Sequence, residues 1–301
     1  MSIKSISFKS LNPGKHLVVL GAVHGDEICG PKAIEQMIDA LSTNMIELKQ
    51  GSVTFVPICN PQAYALNVRF VEHNLNRRLY PKDSPQDYED KIGNILCPIL
   101  DQADALLDIH SYQSQGGPFC FLGNSCQEEL DFCKSLGISN FIYGWAEAFS
   151  NNDKVEDQRQ SMGTTEYTRL KGGIATTLEC GQHLNSDNPS IGYRAIINAM
   201  VHLNLIKKTK KIEKKEQEHT CFKMDQLFLK EKPGKFVKPW KHLDRVSKGE
   251  ELAIYEDGQK VTAPMDGVIV LPKNHPEHVS GTEWFLFARE TPFPSPKQDS
   301  K

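Results

Sequence analysis

A histidine and a carboxylate stand three residues apart near the start of the chain, in a setting that suits a metal ion. His24 and Glu27 lie in the segment Gly21–Gly30, which follows the apolar run Leu17–Leu20. Imidazole and carboxylate groups are common zinc ligands, and a catalytic zinc site normally uses three protein ligands and leaves one position open. The pair therefore predicts part of a metal site whose third ligand lies elsewhere.

A second histidine occupies the same kind of position farther along the chain. His110 follows the apolar run Ala105–Ile109, a pattern typical of a short buried strand. Functional groups of open α/β sheets gather at strand ends, so His110 is predicted to join His24 and Glu27 as a metal ligand. A single histidine beside an apolar strand is more often a hydrogen-bonded core or surface residue, and it is the combination with Glu27 that favours a metal site.

Hydrolysis at such a metal needs a base to accept a proton and a cation to stabilise the oxyanion. Glu179 ends an apolar, strand-like run and is the candidate base. The segment 60–81 is rich in arginine and asparagine and contains Arg69, Asn76 and Arg77, whose planar donor groups suit carboxylate recognition. A solvated strand-end glutamate and a surface salt-bridge network are the structural alternatives to these two assignments.

The elements that would position these residues alternate between strand and helix patterns over the first two thirds of the chain. This alternation predicts a layered α/β fold. The candidate strands are 17–20, 53–57, 105–109, 119–122 and 174–178, and the candidate helices are 31–41, 88–100 and 191–206.

The composition changes abruptly after Ile206, where lysines and glutamates form a mixed charge run typical of a solvated linker. We therefore predict a catalytic domain over 1–208 and a charged linker over 209–219. Short apolar segments separated by Pro-Gly, Asp-Gly and Lys-Gly turns then predict a small all-β domain over 220–290. The proline-rich end, 291–301, is predicted to be disordered.

The overall charge and hydropathy exclude several classes of partner. The chain has 301 residues and a formal net charge of −3, which gives no basis for a nucleic-acid-binding surface. No apolar stretch is long enough to span a bilayer, and the first twenty residues lack the apolar region of a signal peptide. We expect a cytoplasmic protein with a small carboxylate-bearing substrate and neither a nucleic-acid nor a membrane partner; whether it forms a homo-oligomer is left open.

Several short motifs follow one another in a fixed order along most of residues 15–205. They are Gly21-x-x-His24-Gly25-Asp26-Glu27-x-x-Gly30, Asn60-Pro61, Arg69, Asn76-Arg77, Asp108-x-His110 and Glu179-x-Gly181. In this order they resemble the succinylglutamate desuccinylase and aspartoacylase family of zinc enzymes, which are relatives of the zinc carboxypeptidases. The resemblance implies a carboxypeptidase-like α/β fold, with a mixed sheet flanked by helices.

The resemblance also implies a role for each site residue. His24, Glu27 and His110 would hold one zinc ion, and Glu179 would be the general base for a metal-activated water. Arg69 resembles the arginine that polarises the scissile carbonyl.

Three further residues match positions that hold a substrate carboxylate in the family. Asn76 and Arg77 resemble the pair that grips the carboxylate. Arg169 falls where aspartoacylase has another carboxylate-binding arginine, although this match depends on its distance from Glu179 and not on a surrounding motif.

The chain departs from the family pattern at two places. Asn74 stands where family members usually carry an aspartate, and no counterpart of the substrate-binding tyrosine of aspartoacylase occurs near 283–287. Specificity for acetylaspartate is therefore not expected. The C-terminal stretch 261–269 resembles the barrel module of the family, which is itself similar to biotinyl and lipoyl carriers. Lys260 lacks flanking methionines, so we expect a non-carrier barrel that borders the mouth of the active site.

The residues and the resemblance together predict a zinc-dependent hydrolase that cleaves the amide bond of an N-acyl amino acid or a related small carboxylate. Two alternatives belong to other classes. One is a metallopeptidase of the carboxypeptidase type, and the other is a non-catalytic metal-binding or ligand-sensing protein on the same scaffold.

Overall fold

The computed structural model describes residues 2–123, 126–150, 162–207, 218–274 and 281–295. The strands of these residues are β1 (Ile6–Lys9), β2 (His16–Gly21), β3 (Ser52–Val56), β4 (Ala105–Tyr112), β5 (Phe119–Phe121), β6 (Asn140–Tyr143), β7 (Ile174–Gln182), β8 (Thr220–Leu229), β9 (Gly234–Phe236), β10 (Arg245–Val246), β11 (Glu251–Tyr255), β12 (Lys260–Thr262), β13 (Gly267–Val270) and β14 (Glu283–Thr291). The helices are α1 (Cys29–Ser42), α2 (Pro61–Leu66), α3 (Tyr88–Leu100), α4 (Gln127–Ser135), α5 (Trp145–Ser150), α6 (Thr164–Leu170) and α7 (Asn188–His202).

Eleven of the strands form one mixed sheet in the order β1-β3-β2-β4-β7-β5-β6-β8-β14-β13-β10. The central strands β3, β2, β4 and β7 run parallel to one another, and β1 and β5 pair antiparallel with β3 and β7. The carboxyl ends of β2, β4 and β7 therefore lie side by side at one edge of the sheet, where the predicted site residues follow them.

Alternating side chains of the central strands pack on opposite faces of the sheet, as the period of two in a strand requires. On β2, Leu17 and Val19 belong to one buried apolar cluster, and Val18 and Leu20 belong to another. Helices α1, α4 and α7 contribute to the first cluster, and α3 and α6 to the second. The sheet is thus covered by helices on both faces, and the mixed α/β fold predicted from the sequence is confirmed.

All five strands predicted in the first two thirds of the chain are present, but β4 and β7 extend to Tyr112 and Gln182 and so include His110 and Glu179. The three predicted helices correspond to α1, α3 and α7. Helix α7 ends at His202 and not at 206, because the chain turns through Asn204, which has a φ of +58°. Strand β6 was not predicted. It has only four residues, and its pairing partners β5 and β8 lie far from it in sequence.

Within the described part of the C-terminal segment, every element is a strand. Strand β8 pairs in parallel with β6, so β8, β14, β13 and β10 extend the main sheet, and a separate three-stranded sheet has the order β12-β11-β9. Residues 209–217 of the predicted linker, 209–219, lie outside the described residues. So does 296–301 at the predicted tail.

The described part of the predicted tail contacts other parts of the molecule. Strand β14 runs to Thr291, and its last residues pair with β8. Beyond it, the ring of Phe293 lies 5.4 Å from that of Phe141 and accepts the Lys134 ammonium at 4.0 Å from its centroid. An aromatic residue among the prolines therefore anchors this segment.

Among the helices that the structure describes, none is long and apolar enough to cross a membrane.

Candidate active site

The three predicted metal ligands meet at the carboxyl ends of β2 and β4. The Nδ1 atoms of His24 and His110 lie 3.2 Å apart, and each faces a carboxylate oxygen of Glu27, at 2.8 Å and 2.9 Å respectively. All three side chains are buried, and their ligand atoms lie within 4.8 Å of one another. This donor set of two imidazoles and one carboxylate could hold a divalent metal ion.

The Nε2 atom of each histidine, on the side away from Glu27, faces a side-chain oxygen of another residue. Asn74 Oδ1 accepts a hydrogen bond from His24 Nε2 at 3.0 Å, and Asp108 Oδ2 lies 2.8 Å from His110 Nε2. Asn74 Oδ1 also accepts from the backbone N–H of Asn76 at 2.9 Å, which identifies it as the oxygen. With Nε2 of His24 protonated, the lone pair of its Nδ1 faces inward, which is the arrangement that metal-binding histidines adopt.

Without a metal ion, the electrostatics favour a neutral His24 and an ionised Glu27, but a protonated His110, whose proton a cation would have to displace. Burial lowers the pKa of His24 to about 3, and nearby Arg69 adds to this effect, so the imidazole is neutral and able to coordinate. Burial opposes ionisation of Glu27, but His24 and His110 lower its pKa well below the usual value. Burial likewise opposes charge on His110, but Asp108 and Glu27 raise its pKa well above normal.

The loop that presents His24 and Glu27 depends on a glycine between them. A Cβ added to Gly25 would lie 2.1 Å from the carbonyl carbon of Ala63 and 2.3 Å from the backbone nitrogen of Tyr64. The Gly25 N–H also donates to the carbonyl oxygen of Arg69 at 3.2 Å. The close backbone approach that only glycine permits therefore packs this loop against α2 and the segment that carries Arg69.

Glu179 lies next to His110 on the neighbouring parallel strand, where the two residues are paired in register. Its side chain is buried, and its Oε2 has no hydrogen-bond partner among the described residues. Burial and the nearby charge of Glu27 raise the pKa of Glu179 to about 8. A carboxylate with an unpaired oxygen and a pKa near neutrality is suited to accept and return a proton.

Seven of the eight predicted site residues line one pocket, and Glu27 lies against His24 and His110. The seven are His24, Arg69, Asn76, Arg77, His110, Arg169 and Glu179. Arg69 contacts the ligand set directly, since its guanidinium donates to Glu27 Oε1 at 3.0 Å.

Asn76 and Arg77 enter the pocket from the long segment before α3. Asn76 Oδ1 accepts from the Thr164 N–H at 2.8 Å, which fixes the amide against the start of α6. Arg77 donates to the Asn76 carbonyl oxygen at 2.9 Å and to Glu283 Oε1 at 3.3 Å, and its guanidinium lies 5.0 Å from the centre of the Trp145 ring.

Arg169 lines the pocket, but its guanidinium is already bound on three nitrogens. It donates to Glu129 at 2.8 Å, to Glu166 at 3.2 Å and to the carbonyl oxygen of Ala175 at 2.8 Å. A substrate carboxylate would therefore compete with two glutamates for this arginine.

The pocket includes residues that the sequence reasoning did not assign to it. Lys273 and Glu283 come from the C-terminal strands, and Ser111 and His183 from the ends of β4 and β7. Ser111 Oγ lies 2.8 Å from His183 Nδ1. Adjacency to His110 could have indicated Ser111, whereas Lys273 and Glu283 reach the pocket only through strand pairings that no local pattern reveals.

The chain matches a family model, and its fold matches several solved structures. Residues 13–191, more than half of the chain, match the family model of the succinylglutamate desuccinylase/aspartoacylase catalytic domain. A curated relative, the succinylglutamate desuccinylase of Vibrio cholerae serotype O1, is 32% identical over 97 residues. That alignment covers 32% of this chain and 28% of the relative, so it spans much less than two thirds of the relative's length.

Solved structures share the fold over nearly the whole chain. A succinylglutamate desuccinylase/aspartoacylase from Rhodobacter sphaeroides has a TM-score of 0.77 and 18% identity, covering 96% of this chain and 90% of its own. The product-bound ectoine utilization protein EutE (DoeB) from Ruegeria pomeroyi has a TM-score of 0.74 and 19% identity, covering 95% and 88%. At these identities the likeness concerns the fold alone.

Proposed function

Because this chain belongs to the succinylglutamate desuccinylase/aspartoacylase family, we propose that it is a zinc-dependent hydrolase that cleaves the amide bond of an N-acyl amino acid. The observation that carries the proposal is the convergence of His24, Glu27 and His110 beside Glu179, whose buried Oε2 has no hydrogen-bond partner in the described part of the chain. A proton acceptor next to a metal-binding set is what hydrolysis of an amide by water requires.

In this proposal His24, Glu27 and His110 hold the zinc ion, and Asn74 and Asp108 keep the ligating nitrogens turned inward. When bound, zinc supplies a Lewis acid for the carbonyl group and lowers the pKa of water toward neutrality. A nearby dication also favours the ionised form of a carboxylate, which would lower the pKa of Glu179 from about 8 and prepare it as a base.

The other residues of the site have separate roles in the reaction. Glu179 accepts a proton from the attacking water and returns it to the departing amine nitrogen. Arg69 donates hydrogen bonds to the carbonyl oxygen as negative charge develops on it. Asn76 and Arg77 bind the substrate carboxylate and so orient the amide; Arg169 would have to leave Glu129 or Glu166 to join them.

In this proposal the C-terminal strands form one wall of the active-site mouth and do not act as a carrier domain. Leu271, Lys273 and Glu283 line the pocket. Lys260 lies on β12, is exposed and pairs with Glu251 in the separate three-stranded sheet. This position is consistent with the small barrel-like domain that the sequence predicts at the mouth of the site.

A panel of N-acyl amino acids tests the proposal, with wild-type protein compared against Glu179→Gln. The variant keeps the size of the side chain but cannot accept a proton, so we expect hydrolysis to fall by about 10²-fold or more while zinc remains bound. Equal rates of hydrolysis by the two proteins would contradict the role of Glu179. No hydrolysis of any member by the zinc-loaded wild type would contradict the proposed reaction.

A further inference from the structure

A buried threonine at the start of α6 contacts both the metal-binding and the carboxylate-binding parts of the site. The Thr164 hydroxyl donates to Asp108 Oδ2 at 2.5 Å, and the Thr164 backbone N–H donates to Asn76 Oδ1 at 2.8 Å. Thr164 is fully buried and is not among the described residues that line the pocket. Any effect that it has on the reaction must therefore pass through Asp108 or Asn76.

The local sequence explains why Thr164 takes this position. Gly163 precedes α6 in an extended conformation, and its N–H donates to the Glu166 carboxylate at 3.1 Å, which fixes the start of the helix. A Cβ added to Gly163 would lie 2.4 Å from Asn76 Oδ1, so a larger residue here would push Asn76 aside. The first residue of the helix, Thr164, is thereby placed between Asn76 and the side chain of Asp108 on β4.

The carboxylate of Asp108 depends on Thr164 for its orientation. Its Oδ2 atom lies 2.8 Å from His110 Nε2 and accepts from the Thr164 hydroxyl. Its Oδ1 atom is buried and has no hydrogen-bond partner in the part of the chain that the structure describes. The torsion that turns a carboxylate has broad, shallow minima, so it is the contact with Thr164 that keeps Oδ2 in place against His110.

The orientation of Asp108 matters because His110 is one of the three proposed metal ligands. A residue that faces the second nitrogen of a metal-binding histidine determines the orientation of the ring and raises its basicity. A hydroxyl that donates to a carboxylate makes a strong, charge-assisted hydrogen bond, and this one is short. Thr164 and Asp108 are both fully buried, so solvent does not screen the contact.

We propose that Thr164 is a positioning residue of the metal site, whose hydroxyl fixes the Asp108 carboxylate so that Asp108 orients His110 for zinc. The backbone N–H of the same residue holds Asn76, so the start of α6 links the proposed zinc site to the proposed carboxylate-binding residues. This inference rests on the zinc site of the proposed function, but not on the identity of the substrate.

The test measures the zinc affinity of the full-length protein by competition with a chromophoric chelator. Thr164→Val keeps the shape of the side chain but removes the hydroxyl, and we expect it to weaken zinc binding by about 10-fold, as loss of support for a ligating histidine does. Thr164→Ser keeps the hydroxyl and should stay within about threefold of wild type. Thr168→Val is the matched control. It removes the hydroxyl of another fully buried threonine of α6, which donates to the Thr164 carbonyl oxygen at 2.9 Å, and it should leave the zinc affinity unchanged.

A double-mutant cycle shows whether Thr164 acts through Asp108. In Asp108→Ala the carboxylate is absent, so adding Thr164→Val should change the zinc affinity by less than about twofold. A further loss of about 10-fold in that background would mean that Thr164 acts by another route, and it would overturn the inference. At saturating zinc, Thr164→Val should keep KM within about threefold of wild type, because the backbone N–H that holds Asn76 remains. A rise in KM as large as the loss of zinc affinity would show instead that the start of α6 has moved, and it would also overturn the inference.

Equal zinc affinities for wild type and Thr164→Val, or a loss in Thr164→Ser as large as that in Thr164→Val, would contradict the positioning role. Circular dichroism checks that each variant is folded. Thr164→Ala, which removes the hydroxyl and needs less space, replaces Thr164→Val if the valine variant does not fold, and the same loss of affinity is expected. Failure of the proposed function would appear differently, as wild-type protein that binds no zinc or that binds zinc but hydrolyses no N-acyl amino acid.

Discussion

Asn74 and Asp108 hold the outer nitrogens of His24 and His110, at 3.0 Å and 2.8 Å, and so determine which nitrogen of each ring faces the metal site. Asn74 departs from the aspartate expected at its position, yet its amide oxygen still accepts from both His24 Nε2 and the Asn76 N–H. Orientation of the histidine thus depends on the acceptor oxygen, which an amide and a carboxylate both provide.

Replacing Asn74 tests this orienting role. Asn74→Ala removes the acceptor and is expected to weaken zinc affinity by about 10- to 100-fold, as loss of an outer-shell partner typically does. Asn74→Asp retains an acceptor oxygen and should bind zinc at least as tightly as wild type. Competition with a chromophoric chelator measures both affinities, and equal affinities for wild type and Asn74→Ala would show that the hydrogen bond does not position His24.

The sequence predicted the convergence of His24, Glu27 and His110, because each follows or lies beside an apolar strand and the ends of parallel strands meet at one edge of the sheet. It did not predict that the guanidinium of Arg169 would be occupied by Glu129 and Glu166. Those contacts join residues far apart in sequence, and a residue type alone does not reveal whether its donors are already used.

At the scale of elements, the site depends on how the C-terminal strands attach to the sheet. His242 lies at this attachment: its ring stacks on Phe119 of β5 at 4.4 Å, and its Nδ1 accepts from the Leu271 N–H at 3.3 Å. Its backbone N–H donates to Gln115 at 2.8 Å. Burial lowers the pKa of His242 to about 3, so the folded protein holds it neutral.

This buried histidine makes the protein sensitive to acid. Because the folded pKa of His242 lies below the unfolded value near 6.5, its contribution to stability is complete above pH 6.5 and is lost as the pH falls toward 3. At pH 5 the loss is about 2 kcal/mol relative to pH 7. In His242→Gln, which can still accept from Leu271, the free energy of unfolding should fall less between pH 7 and pH 5 than in wild type. Urea denaturation at both pH values checks this, and equal losses in the two proteins would contradict it.

Turn residues in the C-terminal segment predicted four of its seven described strands, but not how these strands attach to the sheet. Local patterns identify β8, β11, β13 and β14, because Pro-Gly, Asp-Gly and Lys-Gly turns separate the apolar runs. The pairing of β8 with β6 depends instead on contacts between distant parts of the chain. For the same reason, the entry of Lys273 and Glu283 into the pocket was not predicted.

At the scale of the whole molecule, the eleven-stranded sheet runs without interruption from the catalytic segment into the C-terminal strands. One buried apolar cluster contains residues from both sides of the β6–β8 pairing, among them Tyr112, Phe119, Phe222 and Leu286. The sequence predicted two domains with a boundary near 209–219. Because the sheet and this apolar cluster are shared by the segments on both sides of that boundary, we expect the two segments to unfold together.

The shared sheet and core predict a single cooperative unfolding transition for the full chain. Zinc is expected to raise the midpoint of that transition, since it binds only the folded arrangement of its three ligands. Calorimetry with and without zinc measures both effects. Two transitions, of which zinc shifts only one, would indicate that the C-terminal strands unfold independently and that the predicted boundary separates autonomous domains.

The central claim, that His24, Glu27 and His110 hold a zinc ion that is required for amide hydrolysis, is tested most directly by removing and returning the metal. Metal content and hydrolysis of the panel of N-acyl amino acids are measured on the same sample, before chelation, after chelation and after adding one equivalent of zinc. We predict one zinc per chain, loss of activity on removal and recovery when the metal is returned. Hydrolysis at the full rate by metal-free protein would contradict the account.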